Sequence, residues 1–131
     1  MSRESIEVVR QHIEAYAAGD AERALSFVDP EVVVDLTGMG VEGGMWHGHA
    51  GLARAVRSYR GAFSEYRFEI RGLIDVGDCS LARFARPAAE RPATETEHLV
   101  GLVYSIERGR ITRLTEYRSY DEALEAVGLR E

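Results

Sequence analysis

The chain has 131 residues, of which 45% are hydrophobic, and a net charge of −6 from 22 acidic and 16 basic side chains. This length suits one domain with one core, so we predict a single domain over residues 1–131. All basic residues are arginines scattered among acids, which argues against nucleic acid as a partner. No apolar run is long enough for a membrane span or a signal core, so we expect a cytoplasmic protein that does not bind membranes.

The cysteine and histidine residues do not form a recognisable thiol or metal site. Cys79 is the single cysteine, and no base or orienting group lies near it in the sequence. His47 and His49 are two residues apart beside Trp46, but neither a Glu-x-x-His motif nor a third ligand accompanies them. We therefore expect no metal and no cofactor.

The N-terminal half predicts helices on either side of a short strand. Apolar residues at helical spacing predict a first helix from about Ser2 to Ala18, which Gly19 ends. Asp20 caps a short second helix that ends at Asp29-Pro30. A β-branched run predicts a strand over Glu31–Leu36, with Asp35 at its end.

The central segment predicts a loop followed by a third helix. Thr37–Gly44 holds four glycines and no periodicity, which is typical of a loop at a pocket mouth. Apolar residues at helical spacing then indicate a helix that begins near His49, while Trp46 and His47 are interpreted as part of the pocket rim.

The C-terminal half predicts four strands and a last helix. Alternating apolar and polar residues, turn residues and a loop at Pro87–Pro92 separate the strands. Ser119 and Glu122 form a capping box for the last helix, which Gly128 ends. The predicted strands are about Tyr66–Val76, Cys79–Arg86, Glu95–Glu107 and Arg110–Arg118.

This order of elements predicts an α+β fold with an antiparallel sheet whose concave face the helices cover. A two-residue turn at Arg108-Gly109 pairs Glu107 with Arg110, because strand side chains alternate with a period of two. Gly101 then falls opposite Glu116, and Val103 opposite Leu114. Both faces of this hairpin carry apolar residues, so alternation does not decide which face is inward.

Several motifs in this order resemble the nuclear-transport-factor-two-like superfamily and, within it, the SnoaL-like domains. They are Ala18-Gly19-Asp20, Asp29 to Asp35, Trp46 to Leu52, Arg108 to Arg113 and Ala123 to Leu129. The resemblance implies a cone-shaped curved sheet wrapped by N-terminal helices around a pocket, with a short C-terminal helix. It also implies a small apolar or aromatic metabolite as ligand, and frequently a homodimer.

The resemblance implies a site of two carboxylates and one arginine. It places Glu116 inside the pocket, with Asp35, Arg83 and Leu81 pointing the same way. Asp35 matches the general base of ketosteroid isomerases, and Arg83 and Glu116 match part of the catalytic array of limonene-type epoxide hydrolases. The predicted pocket residues are His12, Tyr16, Trp46, His47, Leu81, Gly101, Val103 and Leu114.

Two departures from those relatives shape the functional hypothesis. The second aspartate of the hydrolases falls at Ala85, and the two oxyanion donors of the isomerases fall at His12 and Gly101. We therefore expect a polyketide cyclase, isomerase or dehydratase that uses metal-free acid–base chemistry, with Asp35 as base and Arg83 and Glu116 as electrostatic partners.

Four alternatives remain open at this point. The chain could be a non-catalytic binding domain for an apolar metabolite, an epoxide-hydrolase-like enzyme that activates water, or a structural dimerisation module, and Arg83 and Glu116 could form a structural ion pair. A homodimer is expected because the sheet face assigned to the outside is too apolar to meet water. That face comprises Ala82, Phe84, Val100, Leu102, Tyr104 and Ile111.

Overall fold

Four helices and six strands make up the part of the chain that the computed structural model describes, namely residues 3–37, 44–62, 69–76, 79–85, 99–117 and 119–128. The predictions for most of the Thr37–Gly44 loop, the Gly77-Asp78 turn and the Pro87–Pro92 loop lie outside these residues. The elements are α1 (Arg3–Ala17), α2 (Ala21–Leu25), β1 (Val28–Asp35), β2 (Met45–His47), α3 (Gly48–Ala62), β3 (Glu69–Asp75), β4 (Cys79–Ala85), β5 (Leu99–Glu107), β6 (Arg110–Tyr117) and α4 (Tyr120–Ala126).

Both predicted helix caps are confirmed. The Asp20 carboxylate accepts a hydrogen bond from the backbone N–H of Arg23 at 3.1 Å, which starts α2. The Ser119 hydroxyl accepts one from the backbone N–H of Glu122 at 3.2 Å, which starts α4. Each cap satisfies a donor that the first helical turn leaves without a partner.

The six strands form one curved sheet in the order β2-β1-β6-β5-β4-β3. The last four strands form the predicted antiparallel meander. Two features differ from the sequence prediction: β2 was missed, and β1 pairs parallel with β6, not antiparallel. The three residues of β2 are too few to show the alternation by which a strand is recognised.

A β-bulge in the β5–β6 hairpin changes which residues share a face. The predicted turn is present, with Arg108 at φ 54° and Gly109 at φ 76°, and Glu107 pairs with Arg110 as expected. Beyond it Ile106 pairs with Ile111, but Ser105 pairs with Arg113, so Thr112 is the additional residue. The predicted pairs of Gly101 with Glu116 and of Val103 with Leu114 are therefore wrong by one residue.

The sheet carries a different hydrophobic cluster on each face. We call the face that packs against α1 and α3 the inner face, and the face that packs against α4 the outer face. Strand residues of the inner cluster include Val34, Ala82, Leu102, Tyr104, Ile111 and Leu114. Those of the outer cluster are Leu81 and Val103, which pack with Ala123 of α4.

Four of the six residues assigned to a dimer interface belong to the core of the protein. Ala82, Leu102, Tyr104 and Ile111 are all buried in the inner cluster beneath α1 and α3. The argument from an exposed apolar sheet face was therefore wrong, because it assigned this face to the outside. A homodimer stays a prediction that rests on the resemblance alone.

Candidate functional site

The inner face contains every buried polar side chain found in the described part of the chain. These side chains are His12 of α1, Ser80 of β4 and Glu116 of β6, each at most 3% exposed. Ser80 pairs with Tyr104, and Glu116 pairs with Leu102, which fixes both side chains on the inner face. Burying polar and charged groups costs free energy that hydrogen bonds or opposite charges must offset, so a buried cluster of them on one face is the candidate functional site.

His12 is held in one tautomer by the backbone of α2. Its Nδ1–H donates a hydrogen bond to the Ala24 carbonyl oxygen at 2.9 Å, because a carbonyl can only accept. Its ring lies edge-on to Tyr16 and Tyr104, with centroids 5.1 Å and 6.0 Å away. Burial lowers the pKa of His12 more than the Ala24 hydrogen bond raises it. The ring is therefore neutral at neutral pH, with Nε2 unprotonated.

Tyr104 lies against the His12 ring and also interacts electrostatically with Glu116. Burial is the main cause that raises the pKa of Tyr104, and the nearby Glu116 carboxylate and Tyr16 raise it further. Tyr104 thus stays protonated and can act as a hydrogen-bond donor over the whole neutral range. His12, Tyr16, Tyr104 and Glu116 together combine a neutral base, a carboxylate and phenol groups in an apolar surrounding.

Two further polar atoms on this face lack hydrogen-bond partners among the described residues. They are the Ser80 hydroxyl oxygen and the Trp46 indole nitrogen, both buried. Trp46, which was predicted as part of the pocket rim, pairs with Val34 and packs against the inner cluster. Ser80 and Tyr104 were not predicted as site residues, because the sheet face that carries them was assigned to the outside.

Asp35 lies on the outer face, away from His12 and Glu116. It pairs with Thr115, whereas Val34 and Leu114 next to them point inward. Its carboxylate accepts hydrogen bonds from the hydroxyl and backbone N–H of Thr37 at 2.6 and 3.0 Å, and forms a 2.9 Å salt bridge with Arg113. The Thr37 hydroxyl is the main cause that lowers the pKa of Asp35, and Arg113 lowers it further.

Arg83 also lies on the outer face, so the predicted cluster of Asp35, Arg83 and Glu116 does not form. Arg83 pairs with Gly101, which pairs with Tyr117, and Glu116 next to Tyr117 points the other way. The Arg83 guanidinium carbon lies 5.3 Å from the centre of the Tyr120 ring of α4. The bulge at Thr112 separates Arg83 from Glu116, because it reverses the faces of β6 relative to β5. Asp35 is separated from Glu116 because it pairs with Thr115, whose side chain points the other way.

The predicted pocket residues divide between the two faces. Those on the inner side are His12, Tyr16, Trp46 and Leu114. Leu81, Gly101 and Val103 lie instead on the outer face toward α4. His47 pairs with Val33 on the outer side, and its exposed ring lies 3.5 Å from the Glu31 carboxylate.

His49 has a structural role at the start of α3. Its Nε2–H donates a hydrogen bond to the Val28 carbonyl oxygen at 2.8 Å, which ties α3 to β1. Within the described ranges, no three histidine, cysteine or acidic side chains are grouped so that they could hold a metal ion. None of the helices in those ranges is long and apolar enough to cross a membrane.

Asp35→Asn is expected to lower stability modestly at neutral pH. The folded-state pKa lies below the ordinary value of 3.8, so the carboxylate contributes stability above that pH and loses it as the pH falls through the folded pKa. Because Arg113 is 44% exposed, we expect a cost of only about 0.5–1 kcal/mol. Urea unfolding at neutral pH and below pH 3.8 measures it, with Glu31→Gln as a control on an exposed pair. A variant as stable as wild type at neutral pH would contradict the prediction.

Comparison with known proteins agrees with this fold. A sequence profile of the SnoaL-like domain matches residues 9–114. A search of curated proteins gave no match. Among solved structures, TerC co-crystallised with polyporic acid is similar with a TM-score of 0.71 and 20% identity, over 95% of this chain and 98% of TerC.

Two other solved structures share the fold. A candidate polyketide cyclase from Sinorhizobium meliloti has a TM-score of 0.68 and 23% identity, over 84% of this chain and 93% of its own. A candidate ketosteroid isomerase from Kribbella flavida has a TM-score of 0.72 and 12% identity, over 88% of this chain and 78% of its own. These structures share the fold of this chain, and the profile match covers most of the sequence. The chain therefore belongs to the SnoaL-like domain family.

Proposed function

We propose that this protein is a small-molecule enzyme that carries out metal-free acid–base chemistry on an apolar substrate, as a polyketide cyclase, isomerase or dehydratase does. The observation that carries the proposal is the burial of His12 and Glu116 around Tyr104 on the inner face. The residues proposed for the reaction differ from those expected from the sequence, because Asp35 lies on the other face.

His12 is the proposed general base. Its Nδ1–H is engaged by the Ala24 carbonyl, which leaves the Nε2 lone pair available to accept a proton from a carbon acid. A lowered pKa keeps the imidazole neutral and ready at neutral pH. The Glu116 carboxylate would stabilise the imidazolium that forms when the proton is accepted.

Tyr104 is the proposed donor to the oxygen on which negative charge develops. Removal of a proton next to a carbonyl moves electron density onto the carbonyl oxygen, and a phenol that stays protonated can donate a hydrogen bond to it. The raised pKa of Tyr104 supports this role. The returning proton comes from the His12 imidazolium, so the reaction needs no other acid.

The structural neighbours support this class of chemistry and suggest a ligand. Candidate polyketide cyclases and a candidate ketosteroid isomerase share the fold, and TerC was co-crystallised with polyporic acid. Polyporic acid is therefore a reasonable first ligand to test. An epoxide-hydrolase-like array is not favoured, because Arg83 and Glu116 lie on opposite faces of the sheet.

Exchange of carbon-bound hydrogen for deuterium tests the proposal. We expect the wild-type protein to accelerate exchange at the acidic positions of benzo-fused ketones such as β-tetralone in D₂O, followed by NMR. His12→Asn should lower the rate by about 100-fold or more, the usual contribution of a general base. Glu116→Gln should lower it as well, because the imidazolium then loses the carboxylate that stabilises it. Asp35→Asn is the matched control, since it removes a carboxylate from the other face.

Two results would contradict the proposal. Exchange that survives in His12→Asn and Glu116→Gln but is lost in Asp35→Asn would show that Asp35 on the outer face is the general base. A wild-type protein that binds the ketones without accelerating exchange would favour a non-catalytic binding domain. Circular dichroism of each variant confirms that the fold is intact before rates are compared.

A further inference from the structure

We propose that Ser80 and Trp46 are hydrogen-bonding anchors for the substrate, which is then an elongated, mostly apolar molecule with an oxygen toward each end. This inference rests on the proposed function, because both residues lie on the same inner face as His12 and Glu116. It goes beyond that function by naming two positioning residues and the class of molecule they fit.

Ser80 is the first anchor. Its side chain is fully buried, and its hydroxyl has no hydrogen-bond partner among the described residues. A buried hydroxyl without a partner costs free energy that an alanine of nearly the same shape would not. Ser80 pairs with Tyr104, so a substrate oxygen that meets the Ser80 hydroxyl lies beside the proposed donor of the reaction.

Trp46 is the second anchor. Its indole N–H is buried and also lacks a hydrogen-bond partner among the described residues, and its ring packs against the inner cluster. An indole nitrogen can only donate, so its partner must be an acceptor such as a carbonyl or ether oxygen. Ser80 can donate or accept, so its partner is a hydroxyl or a carbonyl.

The two anchors lie on one row across the sheet. The pairs along this row run from Trp46 to Val34, then to Leu114, Tyr104 and Ser80. Adjacent strands are about 4.8 Å apart, so the row measures on the order of 19 Å along the sheet and less across its curvature. Val34 and Leu114 between the anchors are apolar. A molecule that reaches both ends therefore needs an apolar middle of two or more rings.

Matched probes test the anchors without any turnover. The diketone para,para′-diacetylbiphenyl carries an acceptor at each end, whereas para,para′-diethylbiphenyl has nearly the same shape and none. By calorimetry we expect wild type to bind the diketone at least about tenfold more tightly. Ser80→Ala and Trp46→Phe should each lose roughly tenfold for the diketone and leave the hydrocarbon unaffected, because each removes one hydrogen bond.

Thermal unfolding without a ligand gives an independent readout on Ser80. Ser80→Ala should not lower the melting temperature, because the hydroxyl it removes has no partner among the described residues. Ser119→Ala is the matched control and should lower it, because that hydroxyl accepts the cap hydrogen bond from Glu122. A Ser80→Ala protein as destabilised as Ser119→Ala would show that Ser80 is a structural residue and overturn the proposal.

The binding results test the two anchors independently of the proposed acid–base function. Equal affinity for the two probes, or no binding of either at the solubility limit, overturns the anchors even if hydrogen exchange is fast. Preference for the diketone that disappears in Ser80→Ala and Trp46→Phe supports the anchors even if wild type exchanges no hydrogen. In that second case the acid–base proposal alone fails.

Discussion

Gly101→Ala is expected to destabilise the protein by up to about 3 kcal/mol, because the added methyl group would overlap α4. A Cβ atom at Gly101 would lie 2.5 Å from the Cβ of Ala123 and 3.5 Å from the backbone of Tyr120. The first of these contacts is far shorter than van der Waals contact, so the helix has to move away from the sheet. Urea unfolding measures the cost, and near-ultraviolet circular dichroism reports changes in the packing of the aromatic side chains.

A compensating change in α4 tests whether this contact is the cause. Ala123→Gly removes the methyl group that Gly101→Ala would strike, and by itself costs about 1 kcal/mol of helix stability. The double variant should therefore be more stable than Gly101→Ala alone, although each single change is unfavourable. If the two costs simply add, the helix does not press on Gly101, and the close packing of α4 against β5 is not what limits this position.

Local signals predicted the elements of this fold well. Asp20 and Ser119 start helices because their side chains satisfy the first free N–H groups, and this depends only on neighbouring residues. The Arg108-Gly109 turn was predicted for the same reason, since a two-residue hairpin needs positive φ at both positions. The family resemblance, which is confirmed, placed these elements in one sheet.

The position of the site could not be predicted in the same way. The bulge at Thr112 has no glycine to mark it, yet it moves every later residue of β6 to the other face relative to β5. Both faces of the hairpin are apolar because α1 and α3 cover one of them and α4 covers the other. Alternation then carries no information about which side is inward, and the separation of Asp35 from Glu116 follows only from the observed pairing.

His12 is expected to make the protein sensitive to mild acid. Its folded-state pKa is lowered from the ordinary 6.5, mainly by burial, so the unfolded chain binds a proton at a pH where the folded chain does not. Stability is then fully present above about pH 6.5, and falls by up to about 1.4 kcal/mol per pH unit below it until the folded-state pKa is reached. Urea unfolding at several pH values between about 5 and 7.5 measures this slope.

His12→Asn is the variant that isolates the effect. Asparagine can place an N–H near the position of Nδ1, so the contact with the Ala24 carbonyl can persist while the titrating group is gone. Asp35 does not affect the comparison, because its pKa is lowered from 3.8 and its contribution to folding stability changes only in stronger acid.

We expect the His12→Asn variant to be less stable than wild type at neutral pH, since it loses the ring contacts with Tyr16 and Tyr104. Its stability should depend less on pH over this range, so the two curves converge as the pH falls. Parallel curves would mean that His12 takes up its proton in the folded protein as readily as in the unfolded chain, and a neutral buried base at this position would then be wrong.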